Sequence, residues 1–362
     1  MKKYKNISYI LFIIFNSAIF ILNLNSCKAD LNSDSTNYQK GLNFLKSDEF
    51  EKAIIEFDKE ISINPVNEKA FYNRGIAKSK LDFWLDAIND YNETIKLRPK
   101  DYLAYYAKAN ALKKLNDLSG AIENYDLAIK LNPNYLKALF NRANTFTELK
   151  EYESAIKDYE RAIYLDSANY EYYYNLGIAY KKNEQLNEAI NAFKKCIKLN
   201  SSFASAYNNL ATTEKKINNL KDALIYINEA LNLDPSLDSY NNRGNIYRAS
   251  GNFEKAIEDY NFIIKEDSTY SFAYYGRALC YEQLNFLKKA IDDFTIYLVF
   301  EPEDAIVFLN RGQTYINVNE YNKACDDFEK SLLLGENRAK ELIEKYCKWK
   351  NWKMSPITIS PE

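Results

Sequence analysis

The sequence of 362 residues contains no histidine, and its nine glycines are dispersed along the chain. Without histidine, the protein cannot form a Ser–His or Cys–His nucleophile pair or a histidine-ligated metal site. The glycines form no recognisable phosphate-binding loop, and the cysteines show no metal-ligand spacing. We therefore expect no enzyme activity, no cofactor and no bound metal.

The chain also lacks an excess of either charge, because 48 basic and 50 acidic residues give a formal net charge of −2. A protein that binds nucleic acid non-specifically usually carries a clear basic excess. We therefore expect no nucleic-acid partner. Tyrosine is abundant instead, with 31 copies, and its ring suits helix packing while its hydroxyl reaches the surface.

A regular repeat organises most of the chain. Alanine recurs every 34 residues, except for one interval of 33 between Ala223 and Ala256. These nine residues, which we call the reference alanines, are Ala53, Ala87, Ala121, Ala155, Ala189, Ala223, Ala256, Ala290 and Ala324. A fixed period of this length indicates stacked supersecondary units.

The positions around each reference alanine indicate two antiparallel helices per repeat. A small residue stands twelve positions before the alanine, and a large apolar or aromatic residue stands four positions after it. Proline or serine follows at twelve positions in most repeats and is expected to end the second helix. Residues typical of left-handed turns stand five positions before the alanine at Asp82, Asn116, Asn218, Gly251, Asn285 and Asn319.

In this pattern the chain resembles the tetratricopeptide repeat (TPR) family, as Asn73-Arg74-Gly75 with Ala87 and Tyr91 illustrates. The resemblance implies an all-α fold, a right-handed α-solenoid of nine helix-turn-helix repeats. It also implies that the first helix of each repeat lines a concave groove. Because the last repeat of such an array needs its exposed face covered, we expect a C-terminal capping helix.

The amino terminus has a different composition. A basic start is followed by a mostly apolar segment from Ile10 to Leu24 and then by Ser26-Cys27. This arrangement predicts a secretory signal. The ending at Cys27 is similar to the lipobox of bacterial lipoproteins, which implies that Cys27 is acylated and begins the mature chain. An uncleaved anchor and a plain secretory signal are the alternatives.

The lipobox resemblance predicts a lipid-anchored protein of the bacterial cell envelope. Lys28 stands where an inner-membrane retention signal of some bacteria has aspartate, so the outer membrane is favoured. A secreted or periplasmic protein is the alternative. The predicted domains are the signal peptide at 1–26, the lipidated cysteine and tether at 27–33, nine TPR repeats at 34–338, the capping helix at 339–350 and a C-terminal tail at 351–362.

Four cysteines follow Cys27. We interpret Cys196 and Cys280 as small buried residues of the repeats. Cys325 and Cys347 fall on the last repeat and the capping helix, which must pack together. A disulfide there would fix the cap in an oxidising compartment, but spacing cannot establish pairing, and two buried thiols are the preferred interpretation.

Arginine and aspartate occur together in the repeats. Arginine thirteen positions before the reference alanine always accompanies aspartate three positions after it, and repeats without the one lack the other. The pairs are Arg74 with Asp90, Arg142 with Asp158, Arg243 with Asp259, Arg277 with Asp293 and Arg311 with Asp327. The co-occurrence predicts structural ion pairs within a repeat or between neighbours.

Two further sets of residues follow the repeat on the predicted first helices. The asparagine ladder, fourteen positions before the reference alanine, consists of Asn73, Asn141, Asn175, Asn209, Asn242 and Asn310. The aromatic ladder, one position earlier, consists of Tyr38, Tyr72, Tyr106, Phe140, Tyr174 and Tyr275. The first set is similar to the asparagines with which some TPR proteins hold an extended peptide, since an amide can donate and accept hydrogen bonds. A purely structural role in packing neighbouring helices is equally open.

Lysines add a positive bias late on the first helices of repeats three, five and six, and Lys181 and Lys215 are the candidates for partner contact. A solvated face is the ordinary alternative for such lysines. The lysine–asparagine pattern of TPR proteins that grip a terminal carboxylate is not recognisable. The sequence thus predicts a non-enzymatic, lipid-anchored scaffold that holds partner proteins or extended peptides. The alternatives are an accessory or targeting subunit of an envelope enzyme and a glycan-binding module.

Overall fold

The computed structural model describes residues 36–347, which form helices and turns without strands in that range. The predicted signal peptide, Cys27, the tether and the C-terminal tail lie outside the described residues. No helix within the described range is long and apolar enough to cross a membrane.

The helices follow the repeat throughout. In chain order they are α1 Thr36–Lys46, α2 Phe50–Ile63, α3 Glu68–Lys80, α4 Trp84–Leu97, α5 Tyr102–Lys114, α6 Leu118–Leu131, α7 Leu136–Glu148, α8 Tyr152–Leu165, α9 Tyr170–Lys182, α10 Leu186–Leu199, α11 Ala204–Lys216, α12 Leu220–Leu233, α13 Leu237–Ala249, α14 Phe253–Glu266, α15 Ser271–Gln283, α16 Leu287–Phe300, α17 Ala305–Asn317, α18 Tyr321–Leu333 and α19 Arg338–Tyr346. Odd-numbered helices up to α17 are the first helices of the nine sequence repeats, and even-numbered helices are the second.

The chain divides into two compact units after Thr145, within α7. In the first unit, the pairs α1–α2, α3–α4 and α5–α6 pack as hairpins, and in the second unit the pairs from α9–α10 to α17–α18 do the same. First helices of successive repeats also contact one another, α1 with α3 and α3 with α5 in the first unit. In the second unit, α9 contacts α11, α11 contacts α13, and α13 contacts α15. Each unit therefore has a continuous surface of first helices, which we call its first-helix face.

All nine reference alanines are fully buried. The glycines of the first helices face the large residue four positions after the alanine. A Cβ atom added to Gly177, for example, would lie 2.6 Å from the ring of Phe193. A Cβ atom added to Gly276, which the repeat pattern did not assign to helix packing, would lie equally close to the ring of Tyr260. Small residues thus set how closely the helices approach.

The turns between the helices also follow the sequence pattern. Asp82, Asn116, Asn218, Asn285 and Asn319 have positive φ angles, as does Gly251, which confirms the predicted left-handed turns. Many first helices begin after a side-chain cap, such as Asp304, whose carboxylate accepts from the backbone N–H groups of the first turn. The 33-residue interval results from a shorter loop between α12 and α13, where Ser236 caps α13 directly after Pro235.

The last helix, α19, is joined covalently to the preceding repeat. Cys325 of α18 and Cys347 form a disulfide, so the preferred interpretation of two free thiols was wrong. Ala339 and Ile343 of α19 pack into the same apolar cluster as Cys325. Spacing could not reveal the bond because it depends on the docking of α19 against α18. Cys196 and Cys280 are free buried thiols, and burial raises the pKa of each to about 12.

Candidate functional site

Arginine and aspartate are directly paired in the repeats of Arg74, Arg243, Arg277 and Arg311. In each, the arginine Nε and Nη2 atoms donate to the two carboxylate oxygens in a bidentate arrangement. For Arg277 and Asp293 both distances are 2.7 Å. Burial raises the pKa of Asp293, although Arg277 opposes this shift. The pairs present are Arg74–Asp90, Arg243–Asp259, Arg277–Asp293 and Arg311–Asp327.

The same arginines also contact the preceding repeat. The Nη1 atom of Arg74 donates to Asp58 of α2 at 2.6 Å, and that of Arg277 donates to Asn261 of α14 at 2.6 Å. Arg142 donates to Asp126 of α6 at 2.5 Å in the same way. Each of these arginines therefore bonds to the second helix of the repeat before it, and their role is structural. The pairing of Arg142 with Asp158 stays a prediction.

The two ladders are hydrogen-bonded to each other across successive repeats. The amide nitrogen of each bonded asparagine donates to the aromatic-ladder position of the repeat before it, as Asn73 does to the Tyr38 hydroxyl at 3.0 Å. Asn141 donates likewise to Tyr106, Asn209 to Tyr174, and Asn310 to Tyr275. Asn242 donates at 3.0 Å to Asn208, which stands at the aromatic position of repeat six. The ladders thus join neighbouring repeats, which supports the structural interpretation.

These bonds occupy the donor side of the amides and leave an acceptor. Asn73 and Asn209 each use a second N–H on a carbonyl of their own helix, and Asn175 donates to the Glu171 carbonyl. Among residues 36–347, the amide oxygens of Asn73 and Asn175 accept no hydrogen bond. From the sequence, each ladder asparagine was expected to offer a ligand both an N–H donor and an oxygen acceptor. In the folded protein the N–H groups are largely used, so the ladder mainly offers amide oxygens. Such oxygens suit the N–H groups of an extended peptide.

A pocket lies in the first unit where the asparagine ladder is interrupted. Repeat three has Ala107 at the ladder position, so Tyr72 has no asparagine partner. A cavity of about 300 Å³ opens there, lined by Tyr72, Trp84, Tyr106 and Ala107 among others. Burial raises the pKa of Tyr72, which keeps its hydroxyl protonated and able to donate. The pocket can therefore hold an apolar or aromatic group that carries a hydrogen-bond acceptor.

The structure places every predicted contact residue on a first helix, and all of them are half-buried except Tyr38, which is buried. Phe140 and Asn141 lie on α7, and Tyr174 and Asn175 lie on α9. Lys181 extends from α9 to α11, where its Nζ atom donates to Asn209 at 3.2 Å and Thr212 at 2.6 Å. Partner binding by these residues stays a prediction.

Lys181 is one of three similarly placed cations in the second unit. Lys181, Lys215 and Arg248 each stand eight positions before a reference alanine, in repeats five, six and seven, and we call them the basic column. Burial, followed by the neighbouring lysines, lowers the pKa of Lys181 to about 8. Burial and the adjacent Arg248 also lower the pKa of Lys215.

Arg248 was missed in the sequence analysis, although its register matches that of the two lysines. Its Nε atom is buried without a hydrogen-bond partner among residues 36–347, Nη2 donates to the amide oxygen of Asn245 at 3.4 Å, and the guanidinium also interacts with the Tyr260 hydroxyl. Burial raises the pKa of Tyr275, and the charge of Arg248 opposes this shift, which places Arg248 beside the aromatic ladder. Pairs of adjacent lysines drew attention in the sequence, whereas a single arginine at the same position did not.

Comparison with known proteins identifies the repeat. A family model described as "TPR repeat" matches residues 109–149 and 143–184. Models described as "Tetratricopeptide repeat" match residues 170–203, 204–237, 238–270 and 305–335. Together these matches span more than half of the chain. No curated protein matches the sequence.

Several solved structures share the fold. A tetratricopeptide repeat protein from Parabacteroides merdae is 20% identical, with a TM-score of 0.57 over 68% of this chain and 97% of that one. The C-terminal part of a TPR repeat-containing protein from Cytophaga hutchinsonii is 18% identical, with a TM-score of 0.58 over 66% and 98%. YrrB, described as a TPR protein with an unusual peptide-binding site, is 25% identical, with a TM-score of 0.45 over 51% and 95%.

Proposed function

Because the chain is a tetratricopeptide repeat protein, we propose that it is a non-enzymatic scaffold that binds an extended segment of a partner protein on its first-helix faces. The observation that carries this proposal is the interruption of the ladder at Ala107. There, the Tyr72 hydroxyl lacks the asparagine partner found for most ladder tyrosines, and a pocket of about 300 Å³ opens between ladder residues. A peptide side chain can occupy this pocket while the ladder oxygens accept its backbone N–H groups.

The binding mechanism is passive. The Arg–Asp pairs and ladder bonds fix the helices before a partner arrives, so little conformational entropy is lost from the scaffold on binding. The tyrosine rings provide contact area at low entropic cost. Affinity then depends on the segment that is bound, and no chemical step is required.

We further propose that the scaffold is exported and lipid-anchored at Cys27 in a bacterial envelope, with the outer membrane favoured. The disulfide between Cys325 and Cys347 supports export, because such bonds persist mainly in oxidising compartments. The signal-like segment before Cys27 supports the anchor.

Site-specific photo-crosslinking in cells of the source organism tests the binding face. A photoreactive phenylalanine analogue at Ala107 is expected to form covalent adducts with a partner protein. The matched control is the same analogue at Leu127, an exposed residue on the second helix of the same repeat. Absence of adducts from position 107, or equal adducts from both positions, contradicts the proposal.

Two measurements test the anchor and the compartment separately. Cys27→Ala is expected to release the protein from the membrane fraction and to abolish labelling by a fatty-acid analogue. Unchanged fractionation without any label in the unaltered protein would rule out the anchor. Mass spectrometry of protein from native cells, without reduction, is expected to recover the Cys325–Cys347 peptide pair, and free thiols at both positions argue against export.

A further inference from the structure

The basic column lies on the first-helix face of the second unit without acidic partners. Among residues 36–347, none of Lys181, Lys215 and Arg248 forms an ion pair with a carboxylate, whereas the neighbouring Lys216 pairs with Glu184 at 2.7 Å. Lys181 is held by an amide and a hydroxyl, and Arg248 by the Asn245 amide and the Tyr260 hydroxyl. These contacts are neutral, so the positive charge of the column is left uncompensated.

Retaining such charges opposes folding. A half-buried cation without an anion loses hydration and gains little in return, and the three charges also repel one another. Both effects appear in the lowered pKa values of Lys181 and Lys215. The buried, unbonded Nε atom of Arg248 is a further cost. A bound anion would compensate all of these costs at once.

Within the second unit, the column is limited to three repeats, and Lys113 has the same position in repeat three of the first unit. At the same position, repeat eight has Glu282, whose carboxylate accepts from the Thr314 hydroxyl, and repeat nine has Ile316. The positive stretch therefore extends over repeats five to seven and ends in an acidic residue. A ligand that follows the column must carry several negative charges along its length, because each repeat contributes one cation.

The ladders indicate the kind of anion. Asn175, Asn209 and Asn242 occur in the same three repeats. The oxygen of Asn209 is used by Lys181, whereas that of Asn175 accepts no hydrogen bond among residues 36–347. Amides beside cations suit a polypeptide whose backbone and acidic side chains are bound together. The chain as a whole has a net charge of −2, unlike a nucleic-acid-binding protein.

We propose that the basic column binds an acidic segment of the partner protein, an inference that rests on the proposed scaffold function and names the chemistry of its ligand. The carboxylates of the segment pair with Lys181, Lys215 and Arg248 while its backbone follows the ladder. Charge complementarity selects this segment over a neutral one and raises the rate of encounter.

Fluorescence anisotropy with the full chain tests the proposal. The probe is a short fluorescein-labelled peptide of alternating glutamate and serine, and the reference is the same peptide with glutamine in place of glutamate. We expect the acidic peptide to bind at least about tenfold more tightly, and its affinity to fall as salt is raised. Equal binding of the two peptides overturns the proposal without requiring any variant. Tighter binding of a single-stranded oligonucleotide also overturns it.

A matched pair of triple variants locates the site. Replacing Lys181, Lys215 and Arg248 with glutamine is expected to weaken binding of the acidic peptide about tenfold or more. The control replaces three exposed lysines on the second helices of the same repeats, Lys198, Lys221 and Lys265, and removes the same net charge. Equal losses in the two variants contradict the proposal, because they indicate an effect of overall charge.

Failure here can be distinguished from failure of the scaffold function. Position 107 can crosslink to a partner while the acidic peptide binds no better than the neutral one. That result supports the scaffold function and contradicts the basic column as its ligand site. If neither position 107 nor any other first-helix residue crosslinks to a protein, the scaffold function itself fails.

Discussion

Two arginines of α13, five residues apart, are held in opposite ways. Arg243 forms a bidentate pair with Asp259, at 2.6 and 3.0 Å, and its third nitrogen donates to Asn228 of the preceding repeat. Among residues 36–347, Arg248 contacts no carboxylate and has a buried Nε atom without a partner. The same side chain is therefore fully used by the fold at one position and incompletely used at the other. Bonding, rather than residue type or burial, separates structural charges from charges available to a ligand.

The largest effect that tests this comparison is on stability. We expect Arg243→Met to lower the free energy of unfolding by about 3 kcal/mol, because it leaves the buried Asp259 carboxylate without its partner. Arg248→Met is expected to change it by less than about 1 kcal/mol, since no ion pair is lost. Urea unfolding followed by circular dichroism measures both. Equal destabilisation by the two substitutions would contradict the distinction between a structural charge at Arg243 and an available charge at Arg248.

A double-mutant cycle isolates the pair itself. Combining Arg243→Met with Asp259→Asn should cost less than the sum of the single changes, giving a coupling energy of about 1 kcal/mol or more. A cycle on Arg74 and Asp90 examines the same pairing in the first unit, where Lys78 also contacts Asp90 at 2.9 Å. No coupling at either site contradicts a structural role for these pairs.

The next effect is a pH dependence of stability caused by Lys181. The pKa of Lys181 falls from 10.5 to about 8 on folding. Below about pH 8 the side chain is charged in both states, so its cost to the free energy of folding is greatest there. Between these two values the folded protein releases the proton while the unfolded chain retains it, so stability rises with pH. Lys181→Met should therefore raise the melting temperature by about 3 °C at neutral pH. Scanning calorimetry of both proteins should show this advantage shrinking above pH 8, and a constant difference contradicts the prediction.

The smallest effect concerns the gap in the ladder. Ala107→Asn places an amide where it can donate to the Tyr72 hydroxyl, as the other ladder asparagines do, and should stabilise the protein by about 0.5–1 kcal/mol. It should also weaken binding of a partner segment at the pocket. The gain is expected to disappear when Tyr72 is changed to phenylalanine, and a gain that persists there has another cause.

Much of the fold could be predicted from the sequence because each repeat determines its own structure locally. The reference alanines, the small residues opposite them and the turn residues depend on contacts within one or two repeats, and nine copies make the pattern unambiguous. Gly276 was missed because its contact is with Tyr260 of the preceding repeat, outside its own pattern. The disulfide was considered but not preferred, because its formation depends on how α19 docks, and α19 has no counterpart in the repeat.

The candidate site was less predictable. Offsets from the reference alanines identified the ladders, but not that the amide nitrogen atoms of Asn73 and Asn209 are used within the protein. Nor could they reveal that Ala107 opens a pocket, since a missing ladder residue looks like a simple departure from the pattern. The direction of a hydrogen bond and the empty space beside a small side chain are properties of packed neighbours, not of one repeat.

The ladder bonds also affect how such a protein can change its length. Several of them join residues 35 positions apart, one more than the repeat length, so donor and acceptor belong to different copies of the module. Duplication or loss of one whole module recreates the bond at the new junction, whereas a partial module would not. The array can therefore grow or shrink in whole modules, and a binding surface can be lengthened before any new contact residue has evolved.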